Sequence, residues 1–245
     1  QGDKWAEVPE LTFFCGSINR RAVELAIKNF QAREGVQVNT VYNGCGILTA
    51  QMKTISNRDT VGFPDTYMAC DTYYLDVVKD LFQEAVNVSD TEVVIAVPKG
   101  NPKGIKNLED LAKPGMRVAI GQPEQCTIGV LTRQVLEAEK VHDAVMKNVV
   151  TQTATSALLI APVATGAADA SLAYLTDTKA ESNKVDMVRI SSEAALAIQP
   201  FSIARSSQQK HLARRLYRSV SRSRDQFEQA GFHWRLDDDT EAPQK

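Results

Sequence analysis

A turn-rich break between two α/β units lies at residues 93–102, which read VVIAVPKGNP. Residues 93–97 are a continuous apolar run typical of a strand. Residues 98–102 follow at once with two prolines, a glycine and an asparagine, which end regular structure and favour a turn. Domain boundaries fall in segments of this kind. We therefore predict that the chain leaves one unit here and begins a second.

Strands and helices alternate upstream of this crossing. An apolar run at residues 11–14 precedes a helical pattern that ends at Gly35. A β-rich run at residues 36–42 then leads through Gly44-Cys45-Gly46 into a second helix. A third strand is predicted at residues 66–70, followed by a helical pattern up to residue 82. This order predicts a βαβαβ unit with a parallel sheet.

The alternation restarts downstream of the crossing. Strands are predicted at residues 117–120 and 170–175, and helices at residues 128–140 and 156–165. Residues 195–204 form a further strand, which Pro200 marks as irregular or at an edge. A single long helix is predicted over residues 206–230, where we expect the chain to return to the first unit. The predicted divisions are 1–92 for the first lobe, 93–198 for the second, 199–232 for the return and 233–245 for a tail or linker.

Composition and charge exclude several classes of protein. The 245 residues carry 28 Lys and Arg against 30 Asp and Glu. The resulting net charge of −2 argues against the broad positive surface that nucleic-acid binding needs. No apolar run approaches the roughly 18 residues that span a bilayer. No GxGxxG follows the first strand and no Walker motif is present, so a nucleotide-binding enzyme is disfavoured and no standard catalytic motif is found. The sequence begins at Gln1, so we expect a processed chain that lacks its signal peptide.

An ordered set of motifs resembles the periplasmic molybdate-binding proteins of ABC importers, which are type II solute-binding proteins. The resemblance covers nearly the whole chain and lies in Phe63-Pro64-Asp65 with Ala69-Cys70-Asp71, in residues 93–102, 108–112 and 119–124, and in Tyr174 with Asp177. It implies a two-lobed α/β fold of the periplasmic-binding-protein type, with a mainly parallel sheet in each lobe and a ligand cleft between them. It also implies a periplasmic or otherwise extracytoplasmic location.

Four cysteines depart from the family pattern. In that family, hydroxyls and backbone amides of the turns hold the anion, whereas here Cys15, Cys45, Cys70 and Cys126 map to loops that face the cleft. Soft sulfur ligands favour iron–sulfur clusters, Zn or Cu(I) over a hard oxyanion. We therefore predict a [4Fe-4S] cluster that serves electron transfer rather than catalysis. Its predicted binding residues are Cys15, Cys45, Cys70, Cys126, Gly16, Gly46, Thr127 and Tyr174.

Other interpretations of the cysteines remain open. A single Zn or Cu(I) ion could replace the cluster. Disulfides suit an oxidising compartment. Cys15 could pair with Cys45, whereas a Cys70–Cys126 bond would link the two lobes covalently and prevent ligand exchange. The alternative function is a molybdate- or oxyanion-binding subunit of an ABC importer in which the cysteines are incidental.

A basic stripe near the C-terminus suggests a partner. Residues 205–224 contain seven basic residues and no acid, and Lys210, Arg214, Arg218 and Arg222 follow i, i+4 spacing. Apolar residues on the opposite side also fit the simpler interpretation, an amphipathic helix docked with its charged face in solvent. The sharper hypothesis is docking to an acidic redox protein or to a membrane permease.

Overall fold

The computed structural model describes residues 8–56 and 61–236, and every structural statement below concerns these residues. The strands are β1 (Glu10–Gly16), β2 (Gln37–Asn43), β3 (Thr66–Met68), β4 (Phe82–Pro98), β5 (Val118–Gly121), β6 (Val149–Thr153), β7 (Ala170–Tyr174), β8 (Val185–Arg189), β9 (Leu196–Ala204) and β10 (His233–Trp234). The α-helices are α1 (Arg20–Glu34), α2 (Cys45–Ser56), α3 (Thr72–Asp76), α4 (Leu108–Leu111), α5 (Thr127–Ala138), α6 (His142–Met146), α7 (Ile160–Ala164), α8 (Leu175–Ala180), α9 (Lys210–Val220) and α10 (Arg224–Ala230).

The strands pair in the order β2-β1-β3-β9-β4-β7-β5-β6, and β8 and β10 also pair with β4. In the first lobe β1 lies parallel to both β2 and β3, and in the second lobe β5 lies parallel to both β6 and β7. The long strands β4 and β9 run antiparallel to their neighbours and join the two halves. The predicted two-lobed α/β fold is confirmed.

Strand β4 carries the predicted crossing, but it is far longer than predicted. Its first part pairs with β9 from Phe82 to Glu92. From Val93 onward it pairs with β7, and Val93 lies opposite Tyr174. The prediction of a helix up to residue 82 is wrong, because α3 ends at Asp76 and β4 already begins at Phe82. The apolar pattern that suggested one helix comes instead from α3, from a short 3-10 turn at Lys79–Leu81 and from the first residue of β4.

The predicted single helix over residues 206–230 is also wrong, because it is two helices, α9 and α10. Serines at the junction bond to the backbone of the preceding turn: the Ser221 hydroxyl donates to the Arg218 carbonyl and the Ser223 hydroxyl to the Ser219 carbonyl. Such bonds compete with continued helix. The basic stripe is therefore interrupted, since Arg222 lies between the helices. Within α9, Arg214 and Arg215 form ion pairs with Glu84 and Glu34.

Strand ends and helix starts meet at one edge of the molecule. The end of β1 at Gly16 lies against Cys70, which follows β3, and the start of α2 bonds to Gln125, which precedes α5. Carboxyl ends of parallel strands are the usual position of a ligand site in open α/β sheets. Sequence analysis missed β6, β8 and α6, whose half-exposed residues give only a weak apolar pattern.

Asp71 ties the end of β3 to the returning strand β9. Its carboxylate accepts the Tyr73 N–H at 2.9 Å as the N-cap of α3, and the Ile198 N–H at 2.9 Å. We expect Asp71→Ala to lower the free energy of unfolding by about 1–3 kcal/mol, because two backbone donors lose their acceptor. Asp71→Asn keeps an acceptor oxygen and should lose less. Urea unfolding measures both, and an Ala variant as stable as the parent would contradict this role.

Candidate functional site

The turn Gly44-Cys45-Gly46 is where the first lobe touches the second. The Asn43 side-chain oxygen accepts the Gly44 N–H at 2.8 Å and shapes the turn. Helix α2 then starts at Cys45, and its Gly46 and Ile47 N–H groups both donate to the Gln125 carbonyl, at 3.0 and 3.3 Å. The orphan donors at the start of α2 are thus satisfied by the second lobe.

Glycine is required on both sides of Cys45 because the lobes approach so closely. A Cβ atom on Gly44 would lie 2.4 Å from the Gln125 carbonyl oxygen, and one on Gly46 would lie 2.2 Å from the Glu124 carbonyl oxygen. Tyr74 strengthens the same contact, because its hydroxyl donates to the Pro123 carbonyl at 2.6 Å. The cleft-facing loops of the two lobes are therefore in direct backbone contact.

Two of the predicted cysteines lie against each other. The sulfurs of Cys45 and Cys70 are 3.1 Å apart, and the Cys70 N–H donates to the Cys45 sulfur at 3.2 Å. Both side chains are buried, and a Cβ on Gly16 would lie 2.3 Å from the Cys70 sulfur and 2.8 Å from the Cys45 sulfur. Gly16 therefore makes room for the sulfur pair.

The other two cysteines have separate surroundings. The Cys15 thiol is buried in the first lobe and donates to the Gly16 carbonyl at 3.7 Å. The Cys126 sulfur lies 3.5 Å from both the Gln122 and Thr153 carbonyl oxygens of the second lobe. All four are free thiols. The structure thus pairs Cys45 with Cys70, and Cys126 bonds to its own lobe.

Three buried hydroxyls around the sulfur pair lack a hydrogen-bond partner. They belong to Tyr67 of β3, Thr127 at the start of α5 and Tyr174 at the end of β7. Each side chain is at most 1% exposed. Tyr67 and Thr127 lie beside the Cys45 sulfur, and Tyr174 lies close enough to Cys70 and Cys45 to feel their charge. Buried hydroxyls usually have partners. Eight other buried polar side-chain atoms of the described residues also lack one, so these three are distinguished by their shared position around the sulfur pair.

Electrostatics keep these hydroxyls protonated. Burial, and then the charges of nearby cysteines, raise the pKa of both Tyr67 and Tyr174 well above the usual value. Burial opposes ionisation of Cys45, but the adjacent Cys70 and the nearby polar hydroxyls of Tyr67 and Thr127 outweigh it and lower the pKa of the Cys45 thiol. The hydrogen bond to Cys45 and burial raise the pKa of Cys70. The site therefore places O–H donors around the Cys45 sulfur, which is the thiol whose pKa is lowered.

Thr127 and Tyr174 were among the predicted site residues, and the structure brings both to the sulfur pair. Gly46 also lies there, with its N–H bound to the Gln125 carbonyl. Sequence analysis missed Tyr67. The available signal was a tyrosine in a predicted buried strand, three residues before Cys70, whose hydroxyl needs a polar partner.

Comparison with known proteins gives consistent matches over nearly the whole chain. The family profile described as bacterial extracellular solute-binding protein matches residues 11–233. The molybdate-binding protein ModA of Mycobacterium bovis is 28% identical over 229 residues, which cover 91% of this chain and 83% of that protein.

Solved structures show the same fold at low identity. The periplasmic molybdate-binding protein of Azotobacter vinelandii superposes with a TM-score of 0.74 at 16% identity, covering 92% of this chain and all of that chain. The sulfate-binding protein SubI of Mycobacterium tuberculosis gives a TM-score of 0.72 at 17% identity, covering 91% of this chain and 86% of that chain.

The predicted [4Fe-4S] cluster and its electron-transfer function are wrong. Within residues 8–56 and 61–236, no group of three or more His, Cys, Asp or Glu side chains is arranged to hold a metal ion. Cys45 and Cys70 are packed against each other over Gly16, and Cys126 bonds to its own loop. The matching proteins are named for molybdate rather than for a cluster. The described residues offer no three-ligand site for a single Zn or Cu(I) ion either, and the redox-protein partner loses its basis with the cluster.

Proposed function

The chain belongs to the bacterial extracellular solute-binding protein family, and from that premise we propose that it captures molybdate or a related oxyanion for an ABC importer. The observation that carries this proposal is the set of three buried hydroxyls without partners, on Tyr67, Thr127 and Tyr174, around the interlobe contact. An oxyanion accepts hydrogen bonds only, so it would complete all three.

Neutral donors suit this ligand class. Molybdate and sulfate are tetrahedral dianions. The similar proteins reported above are named as binding one or the other of them. Tyr67 and Tyr174 keep their protons because their pKa values are raised by burial, so they can donate to an anion at any ordinary pH. Hydrogen bonds to a charged group contribute more than neutral ones.

The proposed binding residues follow from the turns that face the cleft. They are Gly16, Cys45, Gly46, Cys70, Thr127 and Tyr174, with Tyr67 added and with Cys15 and Cys126 at the margin. The proposed first lobe is 1–92 with the return at 199–232, the second lobe is 93–198, and the proposed tail is 233–245, whose first two residues nevertheless form β10 and pair with β4. Residues 237–245 of that tail lie outside the described residues.

The family is extracellular by description, so the chain acts outside the cytoplasm. The periplasm is the proposed compartment. No helix in the described part of the chain is long and apolar enough to cross a membrane. The family match supports a membrane permease of the importer as the proposed partner, contacted through the exposed basic residues of α9.

Thermal unfolding with added oxyanions tests the function. A ligand at about 100 times its Kd adds about 2.7 kcal/mol of stability, which raises the Tm of a chain this size by about 5–10 °C. We expect that rise with molybdate and not with chloride at equal ionic strength. Unchanged Tm values with molybdate, tungstate and sulfate alike would contradict the proposal.

A further inference from the structure

We propose that Cys45 and Cys70 form a reversible disulfide, and that forming this bond switches on anion binding at the neighbouring hydroxyls. The switch rests on the proposed function, because it regulates the same site. The disulfide itself rests only on the geometry of the two thiols.

The two sulfurs are already adjacent. They lie 3.1 Å apart, and a bond of about 2.05 Å needs only a small rotation of the side chains. Gly16 leaves the space that both sulfurs occupy, since any side chain there would meet them. Cys15 and Cys126 instead direct their thiols to backbone carbonyls. The geometry therefore selects Cys45–Cys70 rather than the pairings considered from the sequence.

The pair has distinct roles in thiol–disulfide exchange. The backbone N–H of Cys70 donates to the Cys45 sulfur at 3.2 Å, a contact that favours a thiolate at Cys45. These contacts lower the pKa of Cys45 and raise that of Cys70. Thiolates are the attacking species. Cys45 is therefore the nucleophile and Cys70 the resolving thiol.

The reaction balances with an external disulfide R–S–S–R as oxidant, either a small-molecule disulfide or an oxidised dithiol protein. The Cys45 thiolate attacks one sulfur, forming Cys45–S–S–R and releasing R–S⁻. The Cys70 thiol then loses its proton and attacks the Cys45 sulfur, which forms Cys45–S–S–Cys70 and releases the second R–S⁻. The two protons end on the released thiolates. The cysteines lose two electrons and the oxidant gains them.

Access to the pair depends on the lobes. Cys45 and Cys70 are 0% and 4% exposed, and the Gln125 loop covers Cys45 through its bonds to Gly46 and Ile47. Separation of the lobes removes this cover. An oxidant therefore reaches the thiols in the open form, and bound anion that holds the lobes together protects them.

The disulfide changes the charge of the site. In the reduced protein an ionised Cys45 places a negative charge beside Tyr67 and Thr127, where it competes with an anion for their hydroxyls. A disulfide is neutral, so that competition ends. The titratable groups facing Cys45 are Cys15 of β1, Tyr67 of β3, Cys70 after β3, Tyr74 of α3, Cys126 before α5 and Tyr174 of β7. None of these six groups carries a positive charge that would neutralise the Cys45 thiolate.

Peptide mapping tests the bond. After incubation with glutathione disulfide, mass spectrometry of the digested protein should find one peptide pair linked through Cys45 and Cys70, and bound molybdate should slow its formation. The Cys126→Ser variant should form the same link. An oxidised sample without it, or with Cys15–Cys45 instead, would overturn the proposal.

Affinity tests the switch. Molybdate should bind the oxidised protein at least about tenfold more tightly than the reduced protein at pH 8, because buried like charges repel strongly. The Cys45→Ser/Cys70→Ser variant should show no such redox dependence. Equal affinities of the two wild-type forms would overturn the switch. If neither form binds any oxyanion, the proposed function and the switch fail together, and peptide mapping still decides the disulfide separately.

Discussion

Gly46→Ala is expected to weaken oxyanion binding by roughly thirty-fold to a thousand-fold, or about 2–4 kcal/mol. The added methyl group would lie 2.2 Å from the Glu124 carbonyl oxygen and 2.8 Å from both the carbonyl carbon and the Cα of Gln125. All three atoms are backbone, so no side chain can move aside. The second lobe must withdraw, and the bond from the Gly46 N–H to Gln125 is then lost.

The unliganded Gly46→Ala protein should nevertheless be no less stable within its first lobe, because alanine favours helix over glycine by about 1 kcal/mol. Ala50→Gly is the matched control on the exposed side of α2. It should lose about that amount of stability and keep its affinity. Calorimetric titration with molybdate measures both variants, and a Gly46→Ala protein that binds like the parent would refute the role of this contact.

Tyr174→Phe is expected to lower affinity by roughly tenfold to a hundredfold while leaving the unliganded protein as stable as the parent, or more so by up to about 1 kcal/mol. The Tyr174 hydroxyl is buried and has no partner, so its loss removes a desolvated donor rather than a bond. Only the bound anion would give that hydroxyl a partner. Affinity and stability should therefore move independently.

Tyr217→Phe is the matched control for this variant. Tyr217 packs against Phe201 with ring centroids 5.5 Å apart, on a helix of the first lobe. Its substitution should leave molybdate affinity unchanged. Urea unfolding and calorimetric titration of both variants separate the two effects. If Tyr174→Phe keeps full affinity, this hydroxyl is not a ligand donor.

The fold class could be predicted from the sequence because its signals are local and ordered. The apolar run at residues 93–97 and the break after it predicted the crossing, and the motifs around Asp65 and Asp71 predicted the family. Elements with half-exposed patterns, such as β6, were missed because alternation there is weak. The first part of β4 was not predicted, because strand partners distant in sequence leave no local signal.

The cysteine cluster failed as a prediction because residue type was used without geometry. Four thiols in loops that face one cleft are compatible with a cluster, but ligation needs sulfur atoms directed to one centre. In the fold Cys45 faces Cys70, whereas Cys126 bonds to the carbonyls of Gln122 and Thr153. Tyr67 escaped notice for the converse reason. Its importance lies in a missing hydrogen bond, which only a structure reveals.

Calorimetric titration of the purified, oxidised chain with molybdate tests the central claim most directly. The account predicts saturable binding of one molybdate per chain, competed by tungstate and weakened in the Tyr174→Phe protein. Titrations of the folded protein that release no binding heat with molybdate, tungstate or sulfate, at two temperatures, would contradict oxyanion capture in this cleft.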